Sequence, residues 1–451
     1  MVLARLRAAV CKTVESTSSI SSAGIDNRKR QASGKVSICA PVMAENSPHS
    51  RTFPLSPAVC YLRCNMFDLQ KNECPVQIHA DSLDPIATEQ VKLIAHHPAL
   101  HGLISIMPDA HAGAGCVIGF TGKFRKAVIP NIVGVDIGCG VTSIPLAGIQ
   151  QIDFQGLDDF IRERIPLGMN QREDAGFFAA APVPETLRKA AKSLCEHTEE
   201  GFYLGEKIGR HLPPLMQLGT LGGGNHFIEV GQSEHDGSFR LIVHSGSRNL
   251  GKRVAEHFQE KAAKISKEMG ITVPKGMEYL PLTAGGDHYL HWATIAQAYA
   301  RYNRRFMLAV ILQFFGLPYD ETQIIESVHN YIAEKDQVVR KGAISAHEGE
   351  QVIIPLNMAD GTIIGIGKGN TSYNRSAPHG AGRRHSRKEM FRKLDKGEYR
   401  LKDFSDSMQG IFSTSINRET FDESKFAYKD PKEIEKYLPV SYTHLTLPTK
   451  A

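Results

Sequence analysis

Residues 241–248 read LIVHSGSR: three apolar residues, two of them β-branched, stop at His244 and a Ser-Gly-Ser turn. A short apolar run that ends on turn residues marks a buried strand, and loops at strand ends are where folds build their sites. The same phrasing appears upstream. Residues 104–107 (ISIM) run into PDAHAGAG, and residues 116–120 (CVIGF) run into the polar TGKFRK. Helical patterns lie between such runs, at about 185–210, 251–268, 288–315 and 384–394. Strands and helices mixed in this way predict an α+β fold, a mixed β core with helices around it.

The chain has 451 residues, 41% hydrophobic and 22% charged, which is ordinary globular composition and enough to bury a sizeable core. A net charge of +5 is compatible with a nucleic-acid partner but too weak to argue for one. No internal repeat stands out and no linker splits 66–430, so a single domain over 66–440 is expected. Residues 1–65 are rich in Ser, Arg and small residues without periodicity, and read as a disordered or non-native extension; a transit peptide is the alternative. Residues 441–451 (SYTHLTLPTKA) break character after the charged KDPKEIEKYL and read as a non-native tail.

Five of the eight cysteines fall in the first 74 residues, leaving Cys116, Cys139 and Cys195. This is no disulfide framework. It points to a reducing, cytoplasmic setting and to metal or catalytic use of any cysteine in a polar motif. No apolar run reaches the ~18 residues of a membrane span.

The loop GVDIGCGV sets Asp136 and Cys139 three residues apart among Gly134, Gly138 and Gly140. Such a backbone can fold tightly enough to turn carboxylate and thiol to one point, where they can share divalent cations; a buried cysteine in a glycine turn is the plainer reading. Histidines add weight to the first. GGGNHFIE carries Asn225, His226, Phe227 and Glu229, HSGSR carries His244 and Arg248, and VHNYI carries His329 and Asn330. Imidazole with carboxylate suits Mn, Zn or Fe, and one thiolate does not select zinc. MPDAHAGAG offers Asp109 and His111 in what reads as another glycine-rich turn. APHGAGRRHSR offers His379 among glycines, then Arg383 and Arg387. Glycines permit close approach to a phosphate, arginines bind it bidentately, and a histidine between them can attack phosphorus; a basic surface turn is the alternative.

MPDAHAGAG, GVDIGCGV, LGGGNHFIE, HSGSR, HNY, RKGAISAHEG and HGAGR occur here in the order in which the RtcB family of RNA-splicing ligases carries them. The resemblance covers about 66–430. It implies an RtcB-type catalytic domain that uses GTP and two Mn2+ to join RNA 3′-phosphate or 2′,3′-cyclic phosphate ends to 5′-hydroxyl ends. By the same matching, Asp136, Cys139, His226, His244 and His329 hold the metals, with Cys139 bridging, and His379 takes GMP. Asn225, Phe227, Glu229, Asn330, Pro355, Leu356, Asn357, Met358, Gly380, Ala381 and Gly382 would contact GTP. Arg248, Arg383, Arg387, Asp109 and His111 would face RNA or phosphate. The resemblance leaves open whether an archease-type activator is required.

Three departures suggest a divergent bacterial-type subgroup. IPLNMADG replaces a Gly-Ser-Met-Gly turn, Gly138 and Thr142 replace Asn and Arg, and the family's C-terminal guanine-contacting lysine has no match. Two other functions fit the same residues. A metal-dependent cyclic phosphodiesterase would need neither GTP nor His379, and a non-catalytic relative would only bind RNA ends or a guanine nucleotide.

Overall fold

The computed structural model describes residues 74–438, apart from Leu204 and 206–211, together with the backbone of strand Ala8–Thr13. The tail expected at 441–451, and the rest of the extension expected at 1–65, lie outside the described residues.

Four strands of a seven-stranded mixed sheet decide where the site forms. Ile325–Val328, Gly140–Pro145, Phe239–Ser245 and Phe227–Ser233 lie side by side in that order, each antiparallel to its neighbour. Ala8–Thr13 follows, parallel to both Phe227–Ser233 and Gly361–Ile366, and Gln351–Asn357 completes the sheet. The register sets Val328 opposite Gly140, Val141 opposite His244, and Phe227 opposite His244. Adjacent strands stand only about 5 Å apart. His329, Cys139 and His226, each one residue beyond a strand end, and His244, the penultimate residue of its strand, are therefore delivered to one end of the sheet.

A five-stranded sheet feeds the same place. Its order is Asn330–Ala333, Val338–Lys341, Ile118–Phe124, Leu100–His111 and Val76–Ile78. Asp109 and His111 sit at the end of Leu100–His111, not in the glycine-rich turn expected there. The strand persists because the glycines begin only at Gly113, beyond both residues. A two-stranded ladder, Ala343–Ser345 with Ser376–Pro378, presents His379 as the next residue.

Behind the first sheet runs the helix Gly286–Phe314, whose 29 residues span about 43 Å. Tyr289, Trp292, Ala296, Tyr299, Asn303 and Met307 repeat every three or four residues along its buried face. Its second half joins Ile228, Val230, Leu241 and Val243 in one core cluster, through Met307, Leu308, Val310, Ile311 and Leu312. Each such buried side chain contributes roughly 1.5–3 kcal/mol. Gly138 lets this helix approach the Cys139 loop: it has φ +75°, and a Cβ there would stand 2.8 Å from the Gln297 Cα.

Helix boundaries differ from the periodicity by three residues or more in three places, the helix of the 251–268 pattern beginning three residues early, at Arg248. The pattern at 185–210 forms Glu185–Thr198 and then a π-helical turn, Glu199–Tyr203, in which Gly201 packs against Trp292; of the rest, only Gly205 is described. The pattern at 384–394 starts its helix only at Arg387, because Ser386 caps it by accepting from the Glu389 N–H at 3.2 Å. Among the described residues no helix is long and apolar enough to cross a membrane.

Candidate active site

A cleft of about 420 Å³ opens where the two sheets converge, within the size range of small-molecule sites. On its floor Cys139 Sγ stands 3.4 Å from His226 Nε2 and 3.2 Å from His244 Nε2. His244 Nε2 stands 3.3 Å from His329 Nε2, and His226 Nε2 stands 3.0 Å from Asp136 Oδ2. The donors form two groups, Cys139 with His244 and His329, and Cys139 with Asp136 and His226; within each, all ligand atoms lie within 4.8 Å of one another. Cys139 belongs to both.

Backbone carbonyls fix the histidine tautomers. His226 donates Nδ1–H to Leu221 O at 2.8 Å, and His244 donates Nδ1–H to Asn225 O at 3.1 Å. Their Nε2 lone pairs are thereby turned inward toward the thiol and the carboxylate. Burial, with the neighbouring histidines, holds His244 and His329 well below the ordinary imidazole range, so both are neutral. Burial would raise Asp136, but a proton lying between it and His226 Nε2 outweighs burial, through the hydrogen bond and the charge it brings, and holds the carboxyl at about 2. Three inward lone pairs, a thiol and a carboxylate at 3.0–3.4 Å repel one another unless a proton or cation lies between them. The chemistry of this donor set fits divalent metal.

His379 borders the cluster, its ring centroid 4.9 Å from that of His329. It donates Nδ1–H to Asp109 Oδ2 at 2.6 Å, and its backbone N–H reaches the same oxygen at 3.1 Å. Nε2 makes no hydrogen bond among the described residues and is the nitrogen left with a lone pair. Asp109, expected at RNA or phosphate, is fully buried and does not line the cleft; its carboxylate meets the His379 ring. His111 does line the cleft, with Nδ1–H donated to Asp109 O at 2.9 Å.

Of the residues expected at the nucleotide, Asn225, Phe227, Asn330, Pro355, Leu356, Asn357, Gly380, Ala381 and Gly382 line this cleft. Glu229 and Met358 do not. Glu229 is buried in the sheet and accepts from Thr362 Oγ1 at 3.1 Å, while Met358 packs with Met390 and Phe404. Asn357 closes its own turn, accepting from the Ala359 and Asp360 N–H groups at 2.9 and 3.0 Å. Arg383 and Arg387 line the cleft, but Arg248 does not. Arg248 is held behind it, donating to Thr220 Oγ1 at 3.0 Å and Gly168 O at 2.7 Å.

Several residues that build the site were not singled out from the sequence. Arg304 is fully buried and donates to Gly138 O and Ser245 O, both at 2.8 Å, thus clamping the neighbours of Cys139 and His244. Glu326 neutralises it at 2.8 Å. Asp422 and Glu423 each stand 2.6 Å from Arg387. Lys341 lines the cleft and donates to Ala114 O at 2.6 Å; its place in RKGAISAHEG, beside a glycine, was the available signal.

The chain matches the family model described as tRNA-splicing ligase RtcB over residues 90–439. It is 31% identical over 398 residues to RNA-splicing ligase RtcB of Escherichia coli K12, an alignment spanning 80% of this chain and 92% of that protein. A second Escherichia coli protein, RNA-splicing ligase RtcB1, is 31% identical over 399 residues, with the same 80% and 92% coverage. tRNA-splicing ligase RtcB of Archaeoglobus fulgidus is 27% identical over 382 residues, 69% of this chain and 79% of that one. On these matches and this architecture, the chain belongs to the RtcB family of RNA ligases.

Proposed function

We propose that this chain joins RNA 3′-phosphate or 2′,3′-cyclic phosphate ends to 5′-hydroxyl ends, with GTP as co-substrate, through a GMP covalently held on His379. The observation that carries this reading is the His379–Asp109 pair at 2.6 Å beside the Cys139 cluster. With Nδ1–H given to Asp109, the Nε2 lone pair is the one available to attack the α-phosphorus of GTP. The new bond is Nε2–P, the bond broken joins the α-phosphorus to the bridging oxygen, and pyrophosphate leaves. A cyclic end is first hydrolysed to the 3′-phosphate. An oxygen of that phosphate takes GMP from His379, and the 5′-hydroxyl then attacks the activated end and releases GMP.

Asp136, Cys139, His226, His244 and His329 are the residues that would hold two Mn2+, with Cys139 as the shared ligand. Bound there, the ions supply neutralisation of charge developing on the reacting phosphates. Asn225, Phe227, Asn330 and the 380–382 loop would position the nucleotide, and Arg383 and Arg387 the RNA or triphosphate oxygens.

The test is incubation of the purified chain with α-labelled GTP and Mn2+, followed by detection of acid-labile, protein-bound GMP. Wild type should be labelled and seal 3′-phosphate RNA. His379→Ala should do neither, with manganese content near normal. A labelled His379→Ala protein would overturn the assignment. Opening of cyclic phosphates without GTP would favour the phosphodiesterase, and RNA-end binding without turnover the non-catalytic relative.

A further inference from the structure

Among the described residues, part of the strand Leu100–His111 reaches the site outside its ladders. Its ladder with Ile118–Phe124 breaks between Ile106 and His111, and its partner on the other side pairs only as far as Ile106. Pro108, Asp109 and Ala110 fall in this gap, and Asp109 is the residue that holds His379. Successive carbonyls on a strand point to opposite edges, so Pro108 O and Ala110 O share one edge and need a donor there.

Lys429 supplies it. Its Nζ donates to Pro108 O at 3.0 Å and to Ala110 O at 2.7 Å, the two carbonyls that flank Asp109. Its backbone N–H donates to Gly382 O at 3.0 Å, in the loop that begins at His379. This loop lies directly on the Asp109 backbone: Gly382 has φ +73°, and a Cβ there would collide with the Asp109 carbonyl. One residue thus fastens the strand that carries the orienting carboxylate to the loop that carries the nucleophile. The Lys429 charge also faces the buried Asp109 carboxylate.

We propose that Lys429 is a positioning residue for His379: it touches neither nucleotide nor RNA, and sets the Asp109–His379 geometry from behind. The inference rests on the reading of His379 as the nucleophile. Its role needs a long side chain with several donors. Methionine fills the space without donating, and arginine can still serve two carbonyls.

The experiment uses the full chain with Mn2+ and α-labelled GTP, and measures the single-turnover labelling rate as a function of GTP concentration, together with bound manganese. Lys429→Met should lower the saturating rate about tenfold to a hundredfold, the scale of a reacting group displaced by about an ångström. The half-saturating GTP concentration and manganese content should stay within about twofold. Lys429→Arg should recover most of the rate. A general structural defect would instead lower rate, GTP affinity and metal content together, without rescue by arginine, and that result overturns the proposal. So does labelling by Lys429→Met at the wild-type rate. Should the methionine variant fail to fold, Lys429→Gln carries the test, since its single amide can satisfy both carbonyls only weakly; a rate equal to wild type sinks the idea. Unlabelled wild type, or labelled His379→Ala, refutes the nucleophile reading itself and is told apart by those controls.

Discussion

Glu326→Gln removes the counter-charge of a buried arginine. Arg304 is fully buried, and Glu326 holds it at 2.8 Å while also pairing with Arg301 at 2.8 Å. Burial alone would raise the Glu326 carboxyl, but Arg304 and Arg301 outweigh it and hold it at about 2, against an ordinary 4.5. At about 1.4 kcal/mol per pH unit this is worth about 3 kcal/mol. Breaking a buried pair from one side costs about 3–5 kcal/mol by a separate line of evidence. Because the folded value is depressed, the stabilisation is complete above pH 4.5 and is lost as pH falls toward 2. Urea unfolding of wild type and Glu326→Gln at pH 7 should therefore differ by about 3 kcal/mol, and the gap should narrow at pH 3. Manganese affinity should fall as well, since Arg304 clamps the carbonyls beside Cys139 and His244. A difference under about 1 kcal/mol at pH 7, or one unchanged at pH 3, would refute the reasoning.

Cys139→Ala should lower manganese occupancy at both positions and Asp136→Ala mainly at one, since only Cys139 belongs to both donor groups; metal titration showing equal single-site losses would argue against a shared ligand. Asp109→Asn should slow labelling by GMP about a hundredfold or more, because an amide can donate to Nδ1 and move the ring proton to Nε2. A rate within about threefold of wild type would show that the carboxylate does not set the tautomer. His379→Ala and the Lys429 variants, described above, complete the set.

The parts legible in the sequence were those written locally. LIVHSGSR announced a strand ending on a histidine, and Phe239–Ser245 is that strand, with His244 at its penultimate position. GVDIGCGV announced a tight turn, and Gly138 at φ +75° is what lets the long helix close over it. MPDAHAGAG misled because glycines colour the whole phrase, although Asp109 and His111 precede them on the strand. Glu229 and Met358 show the same limit: each stands in or beside a motif whose neighbours reach the cleft, but its own side chain points into the sheet or the adjacent core. A motif gives residue types and spacing. It does not give the face of the strand on which a particular side chain falls.

Arg304, Glu326, Lys429, Asp422 and Glu423, which brace the site from outside its motifs, were not legible in the sequence, for a physical reason. Arg304 acts on Gly138 and Ser245, and Lys429 on Pro108, Ala110 and Gly382, partners separated by tens to hundreds of positions. Nothing about an arginine within a helix, or a lysine after Tyr428, encodes a distant carbonyl. Asp422 and Glu423 make the point functionally. The arginine expected to grip phosphate, Arg387, is already paired with both carboxylates at 2.6 Å. Any phosphate oxygen entering the cleft must share the guanidinium with two fixed anions. The contact is therefore one of geometry more than of net charge, which favours the planar, bidentate fork of arginine over lysine at that position.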